Sequence, residues 1–437
     1  MNENSGRALV LRFGLLLVSL SSLFQSQASV LAQQSVNQEA SHFERAEKLA
    51  SAKKFLEAIS EYKLALQEKP EDELTLFGLA MSQAQAGQNV EAIQSYSAVL
   101  KRNPTLWEAE VNLGMLLLGQ QSGSEALSHF LNAQNLSPKN FRIHYFIAKT
   151  QELLGDLAVA EGTYIKALEL AQEDSDRFEI NASLGSLYLK KKSWPEAEKY
   201  LLAARGYPGE SVAVDLDLAQ VYYETKQPEK ALELLKSVNN TDDPAIHELM
   251  AQILLAQKDN EQAIQSFELA LRNQKDLDRR KSLSLELAQL YQQMGRTKDA
   301  IALLTTITKS SPDPHLHFTL GALYLHERQF EPAQQEFLQA LQLKPDCAEC
   351  YSNLGSVFLL EENYPAAIDA LSRFKVFRPE VAGTYFYLGI AYDKLDDYPN
   401  ALIHYQKFLD LDRGKTDKQG FQARERMKVL EKKVKRR

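Results

Sequence analysis

A chain of 437 residues with 44% hydrophobic and 25% charged residues, and with only 2 Cys, is neither disordered, nor collagenous, nor disulfide-stapled, nor a polytopic membrane protein. Its 50 Lys+Arg against 58 Asp+Glu give a net charge of −8. That balance opposes non-specific binding to phosphate backbones, so no nucleic-acid partner is expected. With 19 Gly and 14 Pro among abundant Ala, Leu, Gln, Glu and Lys, the composition favours helix throughout.

Arg7 and Arg12 precede an apolar run from Phe13 to Phe24, and small residues follow up to Val30-Leu31-Ala32. This is the pattern of a secretory signal peptide over residues 1–32, with Ala28 as a second cleavage point. The run is shorter than the roughly 20 residues a spanning helix needs. An exported protein, periplasmic or secreted from a bacterium, is expected, with residues 33–38 as a short linker.

From residue 39 to 415 a period near 34 residues repeats eleven times. Ala46 is followed by Ala58, Tyr62, Ala65 and Pro70; the same spacing recurs as Ala80, Ala92, Tyr96, Val99 and Pro104, then as Gly114, Ala126, Phe130, Ala133 and Pro138. It continues from Ala148, Gly185, Ala219, Ala251, Ala288, Gly321, Gly355 and Gly389, each with an alanine twelve residues on. Ala58, Tyr62 and Ala65 stand at i, i+4 and i+7, one face of a helix. The earlier small residue sits on the preceding helix, where a larger side chain would hold the backbones apart. Gly87, Gly155 and Gly295 fall in the turn between the helices, and proline stops the second helix. Each period is therefore helix, turn, helix. Ordering 34 such residues costs roughly 50 kcal/mol, more than one helix pair offsets, so the periods must stack.

These residues resemble the tetratricopeptide repeat family. The strongest likeness is at Leu113-Gly114 with Leu117, Ala126, Phe130, Ala133 and Pro138; at Leu320-Gly321 with Tyr324, Ala333, Phe337, Ala340 and Pro345; and from Leu354-Gly355 to Pro379. The resemblance implies an all-α, right-handed solenoid of about eleven helix-turn-helix repeats whose concave groove binds peptides or partner proteins. The chaperone-binding subfamily clamps a terminal carboxylate with a lysine and an asparagine, but Phe43 and Glu47 occupy those places here. The closing proline is missing in the middle repeats, where Gln172, Gly209, Asp243 and Lys275 stand, and the length changes around Asp174 to Arg177 and Leu277 to Arg280. Irregularity is expected there. Gly206-Tyr207-Pro208-Gly209 reads as a hinge or as a longer loop.

Helical geometry sets Phe77, Met81, Val111, Met115 and Leu118 on the side of the first helices that faces away from the second helices, where they should line the groove. Tyr145 extends this strip, and a second strip holds Phe318, Leu325 and Phe386. A Met-containing apolar strip suits an amphipathic helix or an extended apolar peptide. Residues 416–437 end the chain as a basic capping helix with an apolar stripe of Ala423, Met427, Leu430 and Val434; Phe421 to Arg437 carry eight Lys or Arg against two Glu. Weak contact with an anionic membrane or polymer is the other reading of that helix.

No catalytic, phosphate-binding or metal motif appears, and no cofactor is expected. His315, His317 and His326 lie near Cys347 and Cys350 in the sequence, but the spacing supports zinc only weakly. The Cys347-x-x-Cys350 pair reads as packed thiols, a local disulfide, a redox site or a metal pair. The leading expectation is a non-enzymatic protein-binding scaffold in cell-envelope assembly or secretion, with a thiol-redox protein and a membrane-surface protein as rivals.

Overall fold

The structure is a computed structural model that describes residues 40–207, 211–238 and 242–435; the expected leader and linker lie outside them. Among the described residues there are 23 helices and no strand. The chain forms two compact bodies that divide after Val238, and each is an α-solenoid of antiparallel helix pairs.

In the N-terminal body six pairs follow in order: α1 (His42–Ser51) with α2 (Phe55–Glu68), α3 (Glu73–Gln85) with α4 (Asn89–Arg102), α5 (Trp107–Gly119) with α6 (Gly123–Leu136), α7 (Phe141–Leu153) with α8 (Leu157–Leu170), α9 (Asp174–Lys190) with α10 (Trp194–Arg205), and α11 (Val212–Glu224) with α12 (Pro228–Ser237). The C-terminal body holds five: α13 (Pro244–Ala256) with α14 (Asn260–Asn273), α15 (Leu277–Gln293) with α16 (Thr297–Ser310), α17 (Pro314–His326) with α18 (Phe330–Leu343), α19 (Ala348–Leu360) with α20 (Tyr364–Phe377), and α21 (Ala382–Lys394) with α22 (Tyr398–Asp412). The last helix, α23 (Asp417–Val434), packs on α22. Within each body every second helix also packs on the first helix of the next pair.

The repeat register has a direct packing cause. The alanine twelve positions after each small residue, from Ala58 and Ala92 through Ala367 and Ala401, is fully buried in all eleven pairs. Four residues later a large side chain, among them Tyr62, Tyr96, Phe130, Tyr164, Leu201, Phe337 and Tyr405, is buried between the helices. The small residue leaves room for it: a Cβ added at Gly114 would lie 2.7 Å from the Phe130 ring, and one at Gly389 2.7 Å from the Tyr405 ring. Each such ring or leucine contributes about 2 kcal/mol by leaving water.

Turn and end chemistry repeat as strictly. Seven residues after each small residue the backbone turns left-handed: at Gly87, Gly155 and Gly295, and also at Lys53, Gln121, Lys192, Lys226, Lys258, Arg328, Glu362 and Asp396. The residue before a closing proline leaves the helical region at a wide φ, as at Lys69 (φ −133°, ψ 82°) and Lys344 (φ −139°, ψ 86°), because proline's Cδ excludes the helical region for its predecessor. Where the proline is missing, the helix end is shaped differently: Ala171, Val238 and Gln274 all take φ near −70° with ψ of 132°, 129° and 119°. The length changes of the middle repeats are absorbed as helix, since α9 and α15 each run 17 residues. Gly206 caps α10, and Pro208 and Gly209 lie outside the described residues.

α23 closes the C-terminal body. Ala423 and Leu430 are fully buried on it, Met427 is half-buried, and Arg426 makes a bidentate contact with Asp393 at 2.5 and 2.9 Å. The expected apolar stripe ends one residue early, since Val434 is exposed.

Candidate functional site

Within each body a first helix packs on its own second helix and, where one precedes it, on the second helix before it, and α1 with α3, α9 with α11, α15 with α17 and α17 with α19 also touch directly. The structure corrects the expected groove lining accordingly. Phe77 is 2% exposed, its ring edge-on to Tyr96 at 5.6 Å. Val111, Leu118 and Tyr145 are buried too, Tyr145 with its hydroxyl 3.4 Å from the Ser183 hydroxyl and its ring 5.9 Å from Tyr164. Phe386 is buried among Tyr387, Tyr405 and Phe408. These five residues hold the stack together and leave no apolar wall for a ligand. Met81 and Met115 remain half-open in the N-terminal body, and Phe318 and Leu325 in the C-terminal one.

Phe318 lies at the edge of a cavity of about 460 Å³. Phe374 and Val381 complete its apolar lining, and Glu349, Ser352, Asn353, Arg378 and Glu380 supply the polar part. Arg378 stands 3.9 Å from Glu349, so both signs of charge are present. Ser352 sits three residues before Gly355, the register held by Phe77, Val111, Tyr145, Phe318 and Phe386 in their repeats. A search for apolar residues in that register passes over it, whereas a search of the register itself finds it.

The N-terminal body adds a charged cluster that sequence reasoning missed. Glu152 on α7 is buried, accepts from the Tyr164 hydroxyl at 2.7 Å and from Lys190 on α9 at 2.6 Å. Lys149, one turn earlier, is half-buried, and burial pushes its ammonium below the usual lysine range. On α11, burial pushes the Asp217 carboxyl up to about 6, against the opposing pull of the Ser186 hydrogen bond and of Lys190 and Lys149. Burial, then the Glu179 charge, raise Tyr145 well above the ordinary phenol range. Three successive first helices thus present a polar patch of mixed sign. The spacing of Lys149 and Asp217 spans two repeats, so no local motif could announce it.

Cys347 and Cys350 form a disulfide. Cys350 is fully buried, whereas Cys347 is half-open and caps α19, its sulfur accepting the Cys350 N–H at 3.2 Å. A bridge closing so short a loop stabilises by about 2 kcal/mol in the chain-entropy account. Of the three histidines, His317 pairs with Glu336 at 2.6 Å, while His315 and His326 are exposed. Among the described residues no three His, Cys, Asp or Glu side chains are grouped to hold a metal, and no helix is long and apolar enough to cross a membrane.

Models of the tetratricopeptide repeat match residues 77–141, 147–211 and 318–381, residues 254–324, and residues 384–412. A model of anaphase-promoting complex, cyclosome, subunit 3 matches residues 197–270. A BBSome complex member BBS4 homolog from Drosophila melanogaster is 24% identical over 289 residues, covering 61% of this chain. The chain spans 56% of that relative's length. Among solved structures, a tetratricopeptide repeat protein from Parabacteroides merdae is 18% identical over 56% of this chain and 96% of its own, with a TM-score of 0.46. The Cut9–Hcn1 hetero-tetramer of the anaphase-promoting complex is 14% identical over 94% of this chain and 99% of its own, with a TM-score of 0.33.

Proposed function

Because the chain belongs to the tetratricopeptide repeat family, whose stacked pairs make a typically non-enzymatic protein-interaction scaffold, we propose that it holds an apolar or amphipathic segment of a partner protein against its first-helix faces. One observation carries this reading: while Phe77, Val111, Leu118, Tyr145 and Phe386 are packed inside, Met81 and Met115 stay half-open on neighbouring repeats, as does Leu325, and Phe318 opens on a 460 Å³ cavity with a polar rim. Flexible thioethers adapt to varied apolar side chains, and the rim orients a peptide backbone. Met81→Glu with Met115→Glu and Phe318→Glu is expected to lower partner capture from the native envelope fraction at least tenfold while far-ultraviolet circular dichroism is unchanged. Undiminished capture would remove the groove from the account.

The setting we propose is the bacterial cell envelope, in assembly or secretion. Its support is the basic, apolar, small-residue order of residues 1–32. A C-terminally tagged chain should then be recovered outside the cytoplasm of a diderm host, and a chain lacking residues 1–32 inside it. Equal cytoplasmic recovery of both would end the export reading.

A further inference from the structure

α23 has a face that capping does not use. Its packed arc holds Ala423, Met427 and Leu430, with Arg426 tied to Asp393. Opposite this arc stand Phe421, Lys428, Lys432 and Lys435, at steps of seven, four and three residues that keep them on one side of a helix. Phe421 is 62% exposed and its neighbour on the same side, Val429, 45%. Lys428 pairs with Glu425, while Lys418, Arg424, Lys432 and Lys435 enter no ion pair among the described residues. Arg436 and Arg437 follow in the sequence. A cap needs a polar outer face, but it needs neither an exposed phenylalanine nor this excess of one sign in an acidic chain.

We propose that the outer face of α23 docks the protein on an anionic phospholipid surface. The charge is complementary to phosphate headgroups and, being local, acts within a Debye length of about 8 Å, so the acidic repeats do not cancel it. Phe421 and Val429 supply an apolar edge that rests at headgroup depth beside the lysines. The shape decides between a bilayer and an acidic protein. The face is the convex side of one helix about 27 Å long, whereas the neighbouring cavity is lined by Met427 and Glu431, around the helix from it. A fluid bilayer conforms to a convex rod, whereas a folded acidic partner would need a matching concave trough. Resting on one basic face, the attachment is reversible and salt-sensitive.

The test is co-sedimentation of the full chain with vesicles rich in phosphatidylglycerol, with vesicles of phosphatidylcholine alone, and with soluble polyglutamate as a competitor. Binding is expected only to the anionic vesicles, to fall as salt rises, and to resist polyglutamate. Each cation near the surface is worth roughly fivefold, so Lys428→Glu with Lys432→Glu and Lys435→Glu should weaken binding at least about 100-fold. Phe421→Ala should weaken it several-fold, and neither variant should shift the thermal midpoint by more than a few degrees, because these side chains point away from α22 and the Lys428–Glu425 pair that the triple variant breaks is exposed. Equal binding to neutral vesicles, undiminished binding by the triple variant, or displacement by polyglutamate would each overturn the proposal.

Discussion

Gly185→Val is expected to destabilise the N-terminal body by about 3 kcal/mol, read as a lower urea midpoint. An added Cβ at Gly185 would lie 2.5 Å from Leu201 Cγ, 2.6 Å from its Cδ2 and 3.3 Å from its backbone nitrogen. Rotation of the leucine relieves the first two contacts but not the third, and valine's branched Cβ has little freedom in a helix. α9 and α10 must therefore move apart, opening the fully buried Leu184, Leu187, Ala197 and Leu201. Leu201→Ala alone should also destabilise, by about 3 kcal/mol, through the cavity it leaves. Combined, the two should cost about 2 kcal/mol less than their sum, since the shortened side chain vacates the volume the valine needs. Strict additivity would mean that the spacing of the pair is not set by this contact. Gly162, on exposed α8 surface with nothing within 4 Å of an added Cβ, is the control: Gly162→Ala should stabilise by up to about 1 kcal/mol through helix propensity.

Asp217→Asn is expected to act in the opposite direction, raising stability at pH 8 by about 2 kcal/mol. Burial lifts the native carboxyl to about 6 from an ordinary 3.8, so the native state holds its proton where the unfolded chain has lost it. Stability then falls as pH rises from about 4 to 6, and the full penalty is present above 6. Below about 4 both states are protonated and the penalty vanishes. Asparagine keeps the shape and the hydrogen bond to Ser186 but carries no charge to desolvate. Part of the gain is offset because Lys149 loses a favourable neighbour. Unfolding curves across that pH range should be flatter for the variant, and identical slopes for the two proteins would refute the assignment.

The fold was legible because its signal is local and repeated. A small residue, an alanine twelve on and a large apolar residue sixteen on impose one helix pair, and each is set by contacts inside that pair. The turn was only partly legible. Glycine marks it in three repeats, but Lys53, Gln121 and Glu362 make the same left-handed turn without a residue type that advertises it. The groove was legible least. Met81 and Phe77 share a face of α3, yet Phe77 is buried against Tyr96 of α4 while Met81 stays half-open, and such coverage depends on how helices stack rather than on their own period. The charged cluster failed for the same reason, since Glu152 and Lys190 are 38 residues apart and meet only when α7 lies beside α9. The cysteine pair was visible as a pair, but the spacing left thiols, a disulfide, a redox site and a metal pair open, and only the structure shows the bridge.

The recurrent left-handed turn has a consequence for how the stack can be tuned. At eight of its eleven positions a side-chain-bearing residue holds a backbone shape that carries a penalty of roughly 1 kcal/mol, which glycine would not incur. Neighbouring positions of the set lie a whole repeat apart, so changes there should combine without interference. The chain thus carries a row of independent set-screws, one in each of eight repeats, by which the melting order of the pairs can be graded while the core and the open faces stay as they are.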